Sequence, residues 1–301
     1  MWQEYIPDIK EVIKKQDPGY VGLELTPQEG AGETLYHLCF AALEALGVKP
    51  EPEFIKGLLM AGVLGEVPND LPYHGNHHYR KVVSQLVRLV AQHQKGADAL
   101  SDNQIATLLV AACIHDLGHN GQSNTVNGEF VAGRMEQHSF GLAKPYLKAA
   151  GLDDDTLNQI QIMLLCTDVL PIGEQSNAAN MMKQTYQYHF GEAESPRVTD
   201  RLGILLTDKT LTLMALMLHE ADLATSAGIS YDVAKRETIL FRRELTGEDD
   251  AKPSHIVEFL TEVCGKQMVL PASKSLYQPQ MEEILKSAKA DVAAGDKPFS
   301  G

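Results

Sequence analysis

A chain of 301 residues, 44% hydrophobic and 22% charged, is long enough to bury a sizeable core, and its composition excludes a disordered polymer. Its formal net charge of −14 excludes non-specific binding to nucleic-acid polymers and anionic membranes, because nothing basic is abundant enough to displace counterions from a phosphate backbone. Phosphate chemistry on a small molecule stays open, since a cluster of divalent cations reverses the local field.

Leu, Ala, Glu, Lys and Met recur in long stretches while aromatic residues reach only 6%, which predicts an all-α fold. Residues 1–30 hold one short amphipathic piece, Ile9 to Ile13, then the turn signal Asp17-Pro18-Gly19, and read as a leader packing on a domain that spans 31–287. Thr34 to Leu46 is a predicted helix stopped by Gly47 and Pro50, with His37 as a structural residue. Phe54 to Leu64 is the next, followed by the turn-rich Pro68-Asn69-Asp70-Leu71-Pro72.

Tyr73-His74-Gly75-Asn76-His77-His78 then places three imidazoles in one short polar segment, leading into Val82, Val83, Leu86, Leu89 and Val90 at helical spacing. If that helix already includes His74, then His74 and His78 share a face and His77 points elsewhere. His93, at the far end, is expected to face solvent.

Ile105 to Ala112 is apolar on every side, the mark of a buried central helix, and it closes on Cys113-Ile114-His115-Asp116-Leu117-Gly118-His119. Gly118 to Asn124 is too rich in Gly and Asn for helix and forms a loop. Phe130 to Leu147 resumes helical periodicity and carries Glu136 and His138, and Asp153-Asp154-Asp155 is an acidic helix start. A second apolar run, Ile160 to Cys166, ends in Thr167-Asp168.

Pro171 to Glu194 is polar. Arg201 to His219 is a long helix whose apolar run Leu211 to Leu218 ends in His219-Glu220-Ala221-Asp222. Ser230 to Leu245 carries Arg236, Arg242, Arg243 and Glu244 as a solvated face. Gly247 to Asp250 is a loop, Ile256 to Val263 a helix, and 288–301 a flexible tail.

Cys39, Cys113, Cys166 and Cys264 include no Cys-x-x-Cys and read as buried free thiols in a reducing compartment. With no basic leader followed by an apolar stretch and no run long enough to cross a bilayer, a cytoplasmic protein is expected. An oligomer remains open.

Four segments therefore bring His or Asp to or just past an apolar run. Polar groups at the end of a buried helix are costly unless something binds them, and a metal ion is the simplest partner. Tyr73-His74 with His78, then His115-Asp116-x-x-His119-x-Gly121-x-x-Asn124, Glu136-Gln137-His138, Thr167-Asp168 and His219-x-Ala221-Asp222-Leu223 resemble, in order, the motifs of the class I cyclic nucleotide phosphodiesterases. That family is a branch of the metal-dependent HD-domain phosphohydrolases, and the resemblance runs from about Tyr36 to about Gln280.

The resemblance implies a compact multi-helix phosphodiesterase catalytic-domain fold. It further implies a two-metal hydrolase that opens a 3′,5′-cyclic nucleotide such as cAMP or cGMP to the 5′-monophosphate, by attack of a hydroxide shared between the metals. His78, His115, Asp116 and Asp222 would hold the first metal, expected to be Zn²⁺ from its mixed nitrogen and oxygen ligands. Asp116 would bridge to a second, water-rich ion that suits Mg²⁺ or Mn²⁺, with iron not excluded. His119, Glu136 and Thr167 match positions that hold those waters, with His138 behind them. His74 would be the general acid, and Asn124 and Asp168 would line the pocket near the phosphate.

Three departures bear on substrate. Tyr-His-Asn stands here as Tyr73-His74-Gly75, and His-Pro-Gly as His119-Asn120-Gly121. Where the family reads the base with a glutamine and clamps it with a phenylalanine, this chain has Glu262, with Gln267 as a possible substitute and no phenylalanine following. An ionised Glu accepts hydrogen bonds but cannot donate them. Three alternatives follow: an HD-type phosphomonoesterase or nucleotidase acting on another small phosphate ester, an HD-type di-iron oxygenase, and a catalytically silent metal or nucleotide sensor.

Overall fold

The computed structural model describes residues 2–16, 34–191 and 193–299. The turn signal Asp17-Pro18-Gly19, the leader boundary near residue 30 and the last two residues of the tail lie outside them. Twelve α-helices make up the described fold: α1 (Ile6–Gln16), α2 (Leu35–Leu46), α3 (Pro52–Leu64), α4 (Asn76–His93), α5 (Asp102–Ile114), α6 (Arg134–Ala149), α7 (Asp154–Leu165), α8 (Ala178–Phe190), α9 (Lys209–Ala227), α10 (Tyr231–Thr246), α11 (Pro253–Glu258) and α12 (Pro271–Ala293).

The middle is built as the apolar runs require. Ser101 caps α5 in a reciprocal pair with Gln104, and every residue from Ile105 to Ile114 is buried. α5 packs against α3, α4, α7 and α9, and α4 lies along α9. In α9 every residue from Leu211 to Ala227 is buried except Asp222. The single polar gap in that helix is the carboxylate that faces the site.

Several boundaries differ from the expectations. α4 begins at Asn76 with Gly75 as its N-cap, so His74 precedes the helix and shares no helical face with His78. A Cβ on Gly75 would sit 2.5 Å from the Leu71 carbonyl oxygen and 2.8 Å from that of Asn69, which only a glycine relieves. The next residue secures the same turn: the Asn76 side chain accepts from the Asn69 amide and donates to the carbonyls of Gly65 and Val67.

A two-residue hairpin, β1 (Thr125–Val126) against β2 (Glu129–Phe130), delays the start of α6 to Arg134. The helix expected over Arg201–His219 is two pieces: a 3₁₀ turn, Asp200–Leu206, bends by 111° into α9, whose first turn is capped by Asp208. α9 then runs past His219 to Ala227, because Ala221, Leu223 and Ala224 keep its buried stripe going. The polar stretch after Pro171 contains α8, capped by Asn177. A π turn, Phe259–Val263, continues α11.

The tail is a further correction. Residues 288–293 belong to α12 with Ala288 fully buried, the Ser254 amide donates to Asp296 at 2.9 Å, and the Phe299 amide donates to the Ala251 carbonyl at 2.9 Å. His93 is half-buried and its Nε2 pairs with the Asp98 carbonyl at 2.8 Å, so it does not stand free in solvent. All four cysteines are buried and free. Among the described residues, no single helix is long and apolar enough to cross a membrane.

Candidate active site

Three helices converge on one group of donors. His115 caps the end of α5 and Asp116 follows it, His78 sits in the first turn of α4, and Asp222 projects from α9. His78 Nε2 lies 3.1 Å from Asp222 Oδ1 and 3.6 Å from Asp116 Oδ2, and His115 Nε2 lies 3.1 Å from Asp116 Oδ2. One ligand atom from each of His78, His115 and Asp222 falls within 4.8 Å of the others.

Tautomer chemistry says what belongs there. His115 Nδ1 donates to the Ala112 carbonyl at 2.9 Å, so a neutral ring turns the bare lone pair of Nε2 toward the Asp116 carboxylate, acceptor against acceptor. That Nε2 is buried without a hydrogen-bond partner, as is His78 Nδ1. Burial works to keep His115 neutral, but Asp116 and Asp222 outweigh it and lift its pKa to about 9. Burial likewise works to raise Asp116, yet His115, His74 and His78 hold it well below the usual carboxylate range. Two imidazole nitrogens and two carboxylates drawn this close fit a divalent cation of borderline softness.

A second cluster adjoins the first. His74 Nδ1 pairs with Glu244 Oε1 at 2.5 Å, and Glu244 Oε2 accepts the backbone amides of Tyr73 at 2.8 Å and His74 at 2.9 Å. The His119 ring stacks on that of His74 with centroids 4.0 Å apart, and His119 Nδ1 accepts the Gly121 amide. Burial and the neighbouring His74 push His119 down to about 4, so it stays neutral. Burial also opposes charge on His74, but Asp116 and Glu244 prevail and raise its pKa. Glu244, which burial would raise, is drawn down to about 2 by His74 and the two amides.

Glu244 is absent from the sequence-based site. Its helix was expected to present Arg236, Arg242, Arg243 and Glu244 to water, yet the Glu244 side chain is only 4% exposed. The available signal was spacing: Glu237 and Glu244 stand seven apart and share a helical face. Glu237 is buried too, paired with Lys81 at 2.7 Å.

The remaining predicted residues fall into two places. Asn124, Glu136 and Asp168 form a network at the start of α6, with Asn124 and Asp168 buried and Glu136 half-buried. Asn124 Nδ2 donates to Glu136 at 3.1 Å, and its Oδ1 accepts the Met135 amide. Asp168 accepts the amides of Gly133 and Leu170, holding the start of α6 against the end of α7. Burial and the nearby Asp168 raise Glu136 to about 8. Thr167 spends its hydroxyl proton on the Leu164 carbonyl, and His138 is exposed near Gly118.

Glu262 and Gln267 are not brought to the His and Asp groups. They line a groove between α8 and the α11–α12 connection. His219, part of the fifth motif, belongs to neither donor group; it is buried with its Nε2 unpartnered, and burial and Lys183 hold it well below the usual imidazole range.

A family model described as 3′5′-cyclic nucleotide phosphodiesterase matches residues 73–273. Among solved structures, Leishmania PDEB1 in complex with IBMX matches at 16% sequence identity with a TM-score of 0.57, covering 96% of this chain and 96% of that one. At that identity the likeness is one of fold. No curated protein matches the chain.

Proposed function

The chain belongs to the 3′,5′-cyclic nucleotide phosphodiesterase family and has the all-helical fold of its catalytic domain, and from that premise we propose that it opens a 3′,5′-cyclic nucleotide to the nucleoside 5′-monophosphate. The observation that carries the reading is a protonatable imidazole, His74, held by Glu244 beside a donor set that fits a cation. The rings of His74 and His78 lie 5.8 Å apart, centroid to centroid.

His78, His115, Asp116 and Asp222 would hold a first ion such as Zn²⁺, and Asp116 would extend to a second such as Mg²⁺ or Mn²⁺. Two such ions supply charge neutralisation at the phosphoryl oxygens and a more acidic water. The chain's own residues do the rest. Glu244 fixes the His74 ring through Nδ1 and stabilises its charged form, leaving Nε2–H to protonate the departing 3′-oxygen. His119 stacks on that ring and remains neutral, so it does not compete for the proton. His119, Glu136, Thr167 and His138 are the groups we assign to waters around the second ion, and Asn124 and Asp168 support them from below.

The test is hydrolysis of a panel of cyclic mononucleotides with Mg²⁺ or Mn²⁺, with products resolved by chromatography. We expect a 5′-monophosphate without inorganic phosphate, and Asp116→Asn should abolish it. Release of inorganic phosphate from monoesters, with cyclic substrates untouched, would move the assignment to a phosphomonoesterase.

A further inference from the structure

Two thiols meet in the core. Cys39 of α2 and Cys113 of α5 are fully buried, and their sulfurs lie 3.3 Å apart. Cys166 and Cys264 are buried as well, but among the described residues neither has a sulfur beside it. A lone buried thiol is inert. A pair in contact differs, because the first oxidation product of one sulfur is captured by the other before it can be oxidised further.

The surrounding backbone holds the pair in place. A Cβ on Gly62 of α3 would sit 2.6 Å from the Tyr36 Cβ of α2, and one on Gly65 would sit 2.5 Å from Leu35 Cδ2 and 2.7 Å from the Cys113 carbonyl oxygen. Backbones this close leave little slack, and a core packed to crystal density passes a displacement on instead of absorbing it. Joining the sulfurs takes them from 3.3 Å to about 2.05 Å. Cys113 stands in the last turn of α5, beside the donor set. The carbonyl of its neighbour Ala112 accepts His115 Nδ1 at 2.9 Å and sets the direction of that ring.

We propose that Cys39 and Cys113 are an oxidation site, that hydrogen peroxide closes them to an internal disulfide, and that the closed form holds a cation at His78, His115, Asp116 and Asp222 more weakly. The second half rests on the donor reading above. In the first step the Cys39 thiol takes an oxygen from the peroxide, whose O–O bond breaks to release water, and becomes a sulfenic acid. Cys113 Sγ then attacks that sulfur. The S–S bond forms as the S–O bond breaks, and the hydroxyl leaves with the Cys113 proton as a second water. The two sulfurs give up two electrons to the peroxide oxygens. Closure draws the last turn of α5 toward α2, and Ala112 carries the His115 ring away from Asp116 and Asp222.

The test treats the folded, reduced protein with hydrogen peroxide, beside Cys39→Ala. Intact mass, thiol count, a peptide map made without reductant and Zn²⁺ affinity are measured. We expect a mass lower by two hydrogens, loss of two of the four thiols and a peptide pair joining Cys39 to Cys113. Zn²⁺ binding should weaken by about tenfold or more, the usual cost of disturbing a group that orients a ligand, and return with a phosphine reductant. Cys39→Ala should keep its affinity through the same treatment. Four retained thiols, sulfinic acid in place of the crosslink, or links to Cys166 or Cys264 overturn the pair. A Cys39–Cys113 crosslink with unchanged Zn²⁺ affinity, or an equal loss of affinity in Cys39→Ala, overturns the coupling. Should Cys39→Ala not fold, reduction of the oxidised wild type decides: affinity that fails to return with the thiols overturns the coupling. If the reduced protein binds no Zn²⁺, the donor reading fails and the coupling with it, while the mass still judges the crosslink.

Discussion

Glu244 governs His74 through three contacts, one to its ring and two to the backbone that carries it. As the proposed general acid His74 must be protonated, so activity should be present below its pKa and lost as pH rises through it. Glu244→Gln removes a charge that raises that pKa while keeping the side chain's shape. We expect kcat to fall about 10- to 100-fold, within the range of acid catalysis, and the alkaline limb of the kcat profile to move to lower pH. A limb that stays in place would assign the proton donor elsewhere. The donor residues were legible in the sequence because each sits at the edge of an apolar run where a polar group is out of place. Glu244 was not, since a carboxylate among arginines on a helix looks solvated, and its partner lies 170 positions away. Gly75 departs from the family motif beside His74, and the carbonyls of Asn69 and Leu71 leave no room for a side chain there.

At the scale of elements, α5 and α9 were readable from uniform apolarity alone, and they form the frame on which His115, Asp116 and Asp222 stand. Leu108, fully buried in the middle of α5, tests how strongly that frame holds the site. Leu108→Ala should cost about 2–5 kcal/mol in urea unfolding with an unchanged m-value, as core truncations do. A loss below about 1 kcal/mol would mean the centre repacks freely. Helix ends were less readable, because they depend on packing that no local pattern contains. α9 runs on past His219 since its neighbours still bury Ala221 to Ala227, and α4 starts late since Gly75 is pressed against a turn. The hairpin ahead of α6 is only four paired residues long, too short for a periodic signal.

For the whole molecule, a formal charge of −14 sets a difficulty that the site resolves locally. On the proposed reading an anionic substrate would be repelled at a distance and drawn in only where cations offset Asp116 and Asp222. The folded chain should accordingly depend on those ions for part of its stability. Removal with a chelator should lower the melting temperature by about 2–4 °C, and re-addition of Zn²⁺ or Mn²⁺ should restore it, as for any ligand held only by the native state. No change on chelation would deny the donor set its cation. Composition was enough to read the helical class, whereas the packing of residues 288–299 against Ala251 and Ser254 was hidden in small side chains. The long reach from His74 to Glu244 also has a meaning in time. On a ribosome the histidines emerge early and wait, Asp222 arrives much later, and His74 gains its Glu244 partner only once α10 has been made. Synthesis interrupted anywhere before that point leaves a polypeptide that contains most of the clustered histidines and carboxylates without the Glu244 contact that holds His74.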